Sequence, residues 1–344
     1  MSYTDGVFSP PAPINEPVKT YAPGTPEREK ITACLSSMAQ ECRDLPNFID
    51  GKPSLNSEKV PVLVPHDHQQ VLGHAHIASN QDMEAAFNSS AAAKSDWAAA
   101  SWEDRAAVFL KAAELLQGPW RSELNASTML GQSKTVHQAE IDAACELIDF
   151  WRYNAHFARQ ILEEQPRSTS TIWNRSDHRP LEGVIAAITP FNFTSIAANL
   201  ATAPALMGNT VVWKPSTTQA HSANVIMRLL IDAGLPNGVI NLVHSDGPDF
   251  GAVALGRKDL GGVHFTGSTQ TFQHLWKGLA HNVENYRSYP RLVGETGGKD
   301  FILAHASADP ESLAVAIVRG SFEYQGQKCS AASRIYLPTN IADE

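Results

Sequence analysis

Between residues 183 and 281 the chain alternates short apolar runs with helical segments, and this alternation restricts the fold more than any other feature. Gly183–Thr189 is an apolar β run, and Ser195–Leu206 follows as a helix. Thr210–Lys214 is a second strand, followed by a helix over Ala220–Ala233 that Gly234 ends. Val239–Val243 and Gly262–Thr266 are further strands, the last opening into a helix at Thr269–His281. Strands apolar at every position have no face for water. They predict an α/β fold in which a parallel sheet is covered by helices on both sides, with right-handed crossovers.

The residues before this block differ in character. Residues 1–27, rich in proline and polar residues, predict an extended arm, and Glu27–Arg43 a first helix. Residues 46–78 read as short strands and turns, with a hairpin at Asn47–Lys52 and an extended piece at Val60–Pro65. Asn80–Ala100 and Trp102–Leu116 carry apolar residues at helical spacing, with Asp82 and Ser101 placed as caps. Glu123–Leu130 and Val136–Glu164 extend the helical block, and the polar stretch Pro166–Pro180 reads as an exposed hairpin outside the sheet.

With 344 residues, 43% of them hydrophobic and 18% charged, the chain can build a large core and more than one domain. A net charge of −9 leaves no basic footprint for nucleic acid. No apolar run reaches the roughly 18 residues a membrane helix needs, and Met1–Asn15 holds no Lys or Arg, unlike a secretory or transit peptide. The four cysteines (Cys34, Cys42, Cys145 and Cys329) fit no zinc spacing and are too sparse for a disulfide scaffold. The expectation is a reducing, intracellular compartment and a small-molecule partner, with no metal, nucleic acid or membrane.

Parallel sheets bind ligands beyond the carboxyl ends of their strands, and the strand ends here carry suitable residues. Thr189-Pro190-Phe191-Asn192-Phe193 follows the first, Trp213-Lys214-Pro215-Ser216 the second, and Phe265-Thr266-Gly267-Ser268-Thr269 the fourth. Gly267 permits close backbone approach, and Ser268 opens a helix whose free N–H groups suit a phosphate. Asn192 either caps the following helix or donates into a pocket. Lys214 is either a snorkelling lysine or a ligand for ribose hydroxyls. Further on, Glu295 and Cys329 lie 329 − 295 = 34 positions apart. A thiolate can form a thioester and a carboxylate can activate the water that hydrolyses it. Taken singly, Cys329 is equally a small buried hydrophobe and Glu295 a solvated loop carboxylate. Lys328 adjoins Cys329, but neighbouring side chains of an extended chain point apart.

In order and spacing these segments, together with Glu295-Thr296-Gly297-Gly298-Lys299 and Gly326-Gln327-Lys328-Cys329, resemble the motifs of the NAD(P)-dependent aldehyde dehydrogenase superfamily. The resemblance spans residues 46 to 344. Within the superfamily, Asn15-Glu16-Pro17-Val18, Thr271-Phe272-Gln273-His274-Leu275-Trp276 and Phe322–Ser330 resemble the branch that oxidises L-glutamate γ-semialdehyde (1-pyrroline-5-carboxylate when cyclised). Phe272 stands where many superfamily members carry a second glycine.

The resemblance implies an arm and helix over 1–45. It implies a Rossmann-type NAD-binding domain over 46–296 with the hairpin near 166–180 protruding, and the beginning of a second, catalytic α/β domain over 297–344. It implies Cys329 as nucleophile, Asn192 with the Cys329 backbone N–H as oxyanion donors, and Glu295 as general base. Cofactor contacts would come from Thr189, Lys214, Gly267, Ser268, Thr269, Gln270 and Thr271, and substrate contacts from Phe193, Ser330 and Glu146. Some NAD-preferring relatives carry a carboxylate three positions after the lysine, where this chain has Thr217; the branch resembled still implies NAD. The implied reaction is the second step of proline catabolism, yielding L-glutamate. The implied setting is a homo-oligomer in the cytoplasm, with the mitochondrial matrix as alternative. Chains of the family are longer, so a C-terminally truncated chain is expected. The alternatives are another aldehyde dehydrogenase or a non-catalytic NAD-binding fragment.

Overall fold

In the computed structural model, which describes residues 9–56 and 58–343, an extended N-terminal arm leads into helix α1 (Pro26–Gln40). Five short strands follow: β1 (Arg43–Leu45), β2 (Asn47–Ile49), β3 (Lys52–Ser54), β4 (Lys59–Val64) and β5 (Asp67–His76). Helices α2 (Asn80–Ala99), α3 (Trp102–Gln117) and α4 (Arg121–Gln132) come next. Then α5 (Val136–Ala139), a π-helical turn (Glu140–Cys145) and α6 (Glu146–Glu163) run on without a break. The alternating block comprises β6 (Val184–Ile188), α7 (Thr194–Leu206), β7 (Thr210–Lys214), α8 (Ala220–Asp232), β8 (Ile240–Leu242), α9 (Gly247–Gly256), β9 (Leu260–Gly267) and α10 (Thr269–His281). Strands β10 (Arg291–Thr296) and β11 (Phe301–Leu303), helix α11 (Pro310–Phe322) and β12 (Arg334–Tyr336) complete the chain.

The expected parallel sheet is present. Its order is β10-β9-β6-β7-β8-β2-β3, parallel from β10 to β8 and closed by the antiparallel β2–β3 hairpin. The chain steps from β6 through β7 to β8 on one side, then crosses back to lay β9 and β10 on the other. That reversal at β6 is a topological switch point, where a crevice opens at the carboxyl ends of the strands. Alternate residues enter opposite layers. Ile185, Ala187, Val211 and Trp213 join a core with Trp151, Phe109 and Leu147. Val184, Ala186, Val212, Val263 and Phe265 join Phe87 and Phe250 on the other face. Gly183 lets β6 begin hard against β9: a Cβ there would lie 2.4 Å from the Asp259 carbonyl oxygen, and φ is +146°.

Three expectations need correction. Ser79, not Asp82, is the N-cap of α2; Asp82 sits at the third helical position and closes a capping box with it. Ser101 caps α3 as expected. Residues 166–180 contain no strand: the segment bends back through an exposed turn in which Thr169 N–H donates to Ile172 C=O, but no ladder forms. The first eight residues of the arm lie outside the described residues. The rest is fastened by a buried ion-pair network in which Arg121 grips Glu16 and Glu140. Finally, Glu295 is not in a loop but on the edge strand β10, opposite Thr266 of β9.

Candidate active site

Because β6, β7, β9 and β10 are parallel, Thr189, Lys214, Gly267 and Glu295 all reach the same edge of the sheet. Thr189 is buried, and its hydroxyl accepts the Trp213 indole N–H at 2.9 Å, so its side chain serves the sheet. Lys214 is half-buried at the end of β7. Burial holds its ammonium below the usual lysine range, and Asp246 pulls weakly the other way. Among the described residues no hydrogen bond or ion pair engages that ammonium. Beyond Gly267, Ser268 caps α10 by accepting the Thr271 N–H at 3.1 Å. Thr269, Gln270 and Thr271 are exposed on the first turn. An unengaged ammonium near an open helix N-terminus at a switch point suits ribose hydroxyls and a pyrophosphate.

Cys329 comes to the same edge by another route. After α11 the chain makes a tight turn in which Tyr324, Gln325 and Gly326 are all left-handed, with φ of 51°, 54° and 68°. Two non-glycine residues in that region mark a strained loop held by its surroundings. It returns Cys329 against Gly298: a Cβ on Gly298 would lie 1.8 Å from the Cys329 carbonyl oxygen. Cys329 and Glu295, 34 residues apart in the chain, are thereby brought together. Burial pushes the Cys329 thiol above its ordinary value, and the charge and hydrogen bond of the Glu295 carboxylate push it further; the backbone N–H groups of Ser330 and Cys329 favour the thiolate and oppose this. Lys328 does not act on the thiol by contact: its ammonium pairs with Glu323 at 2.7 Å.

Asn192 lies in the turn between β6 and α7. Its side-chain N–H donates to the Gln327 carbonyl at 2.9 Å, tying that turn to the cysteine loop. An amide nitrogen has two donors, so one remains for an oxyanion. Phe193 is half-buried beside it, and Ser330 is exposed after the cysteine. Glu146 is no solvated helix carboxylate. It accepts from Ser195 Oγ at 2.6 Å, and burial raises its pKa. It also lines a cavity of about 650 Å³ with Asn15, Cys145 and Phe157.

Three residues of this neighbourhood carry no motif, Lys134, Asp142 and Ser195, and a fourth, Tyr324, lies in the Phe322–Ser330 segment without having been given a role. Lys134 is buried between α4 and α5 and forms an ion pair with the fully buried Asp142. Asp142 also lies 3.0 Å from Ser195 Oγ. One hydroxyl proton cannot serve two carboxylates, so the Asp142–Ser195–Glu146 group is satisfied when one carboxyl keeps a proton. The one sequence signal is a lysine set between polar residues in a short link between apolar helices.

The aldehyde dehydrogenase family profile matches residues 53–344. Over 327 residues the chain is 45% identical to mitochondrial delta-1-pyrroline-5-carboxylate dehydrogenase of Mus musculus, covering 95% of this chain and 58% of that protein. Over 338 residues it is 43% identical to delta-1-pyrroline-5-carboxylate dehydrogenase of Agaricus bisporus, covering 97% and 61%. The crystal structure of the Mycobacterium tuberculosis enzyme of that name bound with NAD superposes with a TM-score of 0.97 at 56% identity, over 99% of this chain and 64% of that one. The chain thus spans about 60% of the length of the curated relatives it matches.

Proposed function

The chain belongs to the aldehyde dehydrogenase family, and on that premise we propose that it carries the cofactor site and nucleophile of an NAD-dependent L-glutamate γ-semialdehyde dehydrogenase. The observation that carries this reading is the meeting of Glu295 and Cys329 at the carboxyl edge of a dinucleotide-type sheet. The similarity to enzymes named for that substrate supports its identity.

The chain's own groups take these roles. The thiol of Cys329 loses its proton to solvent, and the thiolate adds to the aldehyde carbon, forming a C–S bond and turning the carbonyl oxygen into an oxyanion. The free N–H of the Asn192 amide and the backbone N–H of Cys329 hold that oxyanion; losing one such donor costs roughly 3–4 kcal/mol. NAD, when bound by Lys214 and by the turn from Gly267 to Thr271, supplies the acceptor for the hydride whose departure leaves a thioester on Cys329. Glu295 then takes a proton from water, and the hydroxide attacks the thioester and breaks its C–S bond, releasing the carboxylic acid and the Cys329 thiolate. Phe193 and Ser330, the chain neighbours of Asn192 and Cys329, together with Glu146 are the proposed substrate contacts.

The test is aldehyde-dependent NADH formation with the semialdehyde, compared with short aliphatic aldehydes and with Cys329→Ala. Turnover that survives in Cys329→Ala removes the mechanism; preference for aliphatic aldehydes removes the substrate. A second reading, a non-catalytic NAD-binding segment, is favoured by the chain's 58–61% coverage of its relatives. NAD binding by calorimetry without any turnover would select it.

A further inference from the structure

We propose that Lys134 is a positioning residue that clamps the Asn192 turn to the strained loop preceding Cys329. Its ammonium reaches three separate parts of the chain at once. It donates to the Asn192 main-chain carbonyl. It stands over the Phe193 ring at 4.5 Å and over the Tyr324 ring at 4.4 Å from the centroids. It is held there by the ion pair with Asp142, itself braced by Ser195 of α7.

Each contact constrains a residue that the thiol chemistry uses or depends on. Tyr324 is the first of the left-handed residues and the one residue buried between position 291 and the described C-terminus. A left-handed tyrosine is strained and persists only where its neighbours over-determine it. A cation desolvated over an aromatic face is among the stronger such contacts. The Asn192 carbonyl, fixed by the same ammonium, sets the direction in which the Asn192 side chain leaves the turn to meet Gln327. A neutral side chain would keep the volume of Lys134 but could hold neither the carbonyl nor the ring. Lysine, unlike arginine, presents a compact charge that fits a fully enclosed site.

The inference rests on the reading of Cys329 as the reactive thiol, so its test reads that thiol and does not require turnover. The 344-residue protein is alkylated with iodoacetamide across pH 6 to 10, and labelling of the Cys329 peptide is followed by mass spectrometry. Lys134→Met/Asp142→Asn removes the clamp without leaving a buried carboxylate unpaired. Released from Glu295 and from its half-buried position, Cys329 is expected to label at least fivefold faster at pH 7.5, with its midpoint moved down to that of an ordinary cysteine. Mere loss of global stability would lower the melting temperature and leave that midpoint in place. If the double variant does not fold, Tyr324→Leu keeps the ion pair, removes only the ring, and is expected to shift the profile the same way. A folded variant with the wild-type profile overturns the clamp, whichever variant supplies it. Turnover by the unmodified protein, measured separately, decides the proposed activity.

Discussion

Strands β6 and β10 flank the same neighbour, β9, yet they live in different solvents. All of β6 is buried except its last residue, whereas β10 has no buried residue. The contrast continues outward. α7 and α8 bury most of their length, while α11 buries nothing and leaves Val315, Val318 and Phe322 exposed. The cofactor edge is therefore fixed by hydrophobic burial. The nucleophile is fixed by a few polar tethers: the β9–β10 ladder, the Asn192–Gln327 hydrogen bond and the Lys328–Glu323 pair. One protein positions half of its site by packing and the other half by directed contacts.

The largest expected effect tests this contrast with paired truncations. Trp213 is fully buried in β7, and Trp213→Ala should cost about 3–5 kcal/mol in urea unfolding. Phe322 is 69% exposed, and Phe322→Ala should stay within about 0.5 kcal/mol. Similar losses from the two would erase the distinction between the regions.

Acid provides the next test. His221 on α8 and His244 just beyond β8 are buried, and burial pulls both down to about 4, with the Arg43 and Arg228 charges helping at His221 and Lys214 and His76 at His244. Between that value and the usual 6.5 the unfolded chain binds protons that the folded chain refuses. The stabilisation is complete above 6.5 and is lost as pH falls toward 4, on the order of 3 kcal/mol per histidine. Melting temperature followed from pH 7.5 to 4.5 should fall, and His221→Asn should flatten the slope. A flat profile in the unmodified protein would mean that these rings are not held neutral.

How far the sequence announced this arrangement follows the same divide. The predominantly apolar runs at 184–188, 210–214 and 260–267 were legible because burial on both faces writes itself into composition. β10 was not, since Arg291-Leu292-Val293-Gly294-Glu295-Thr296 lies at an edge and is mixed in character, so Glu295 read as a loop residue. Its Gly294 is open to the Phe272 ring, which a Cβ would meet at 2.0 Å; that fit depends on two residues 22 positions apart (294 − 272) and has no local signature. The π turn at Glu140–Cys145 sits within a continuous helical periodicity, and its Glu140 pairs with Arg121 across elements, a contact with no local signature. Lys134 was barely legible for the same reason: its place in a short link hints at a lysine set apart, but nothing in Ser133-Lys134-Thr135 says that Asp142, Asn192 and Tyr324 will converge on it.

The smallest expected effect sharpens the comparison at the thiol itself. Glu295→Gln removes a negative charge beside Cys329 while keeping the shape of the side chain. That charge works with burial to hold the proton on sulfur, so its removal moves the thiol's titration downward and increases the thiolate fraction at neutral pH. Iodoacetamide should then label Cys329 faster, not slower, even as hydrolysis of any thioester is lost. Glu295 is exposed on its edge strand, and water and salt screen an exposed charge. The change is therefore modest, a few-fold faster labelling at pH 7.5, and it should shrink further in 0.5 M salt. A tenfold or larger, salt-insensitive change would mean that the thiol and carboxylate share a dry pocket like the sheet body. Slower labelling would make Glu295 the base that activates the thiol, which would place both proton transfers of the reaction on one carboxylate.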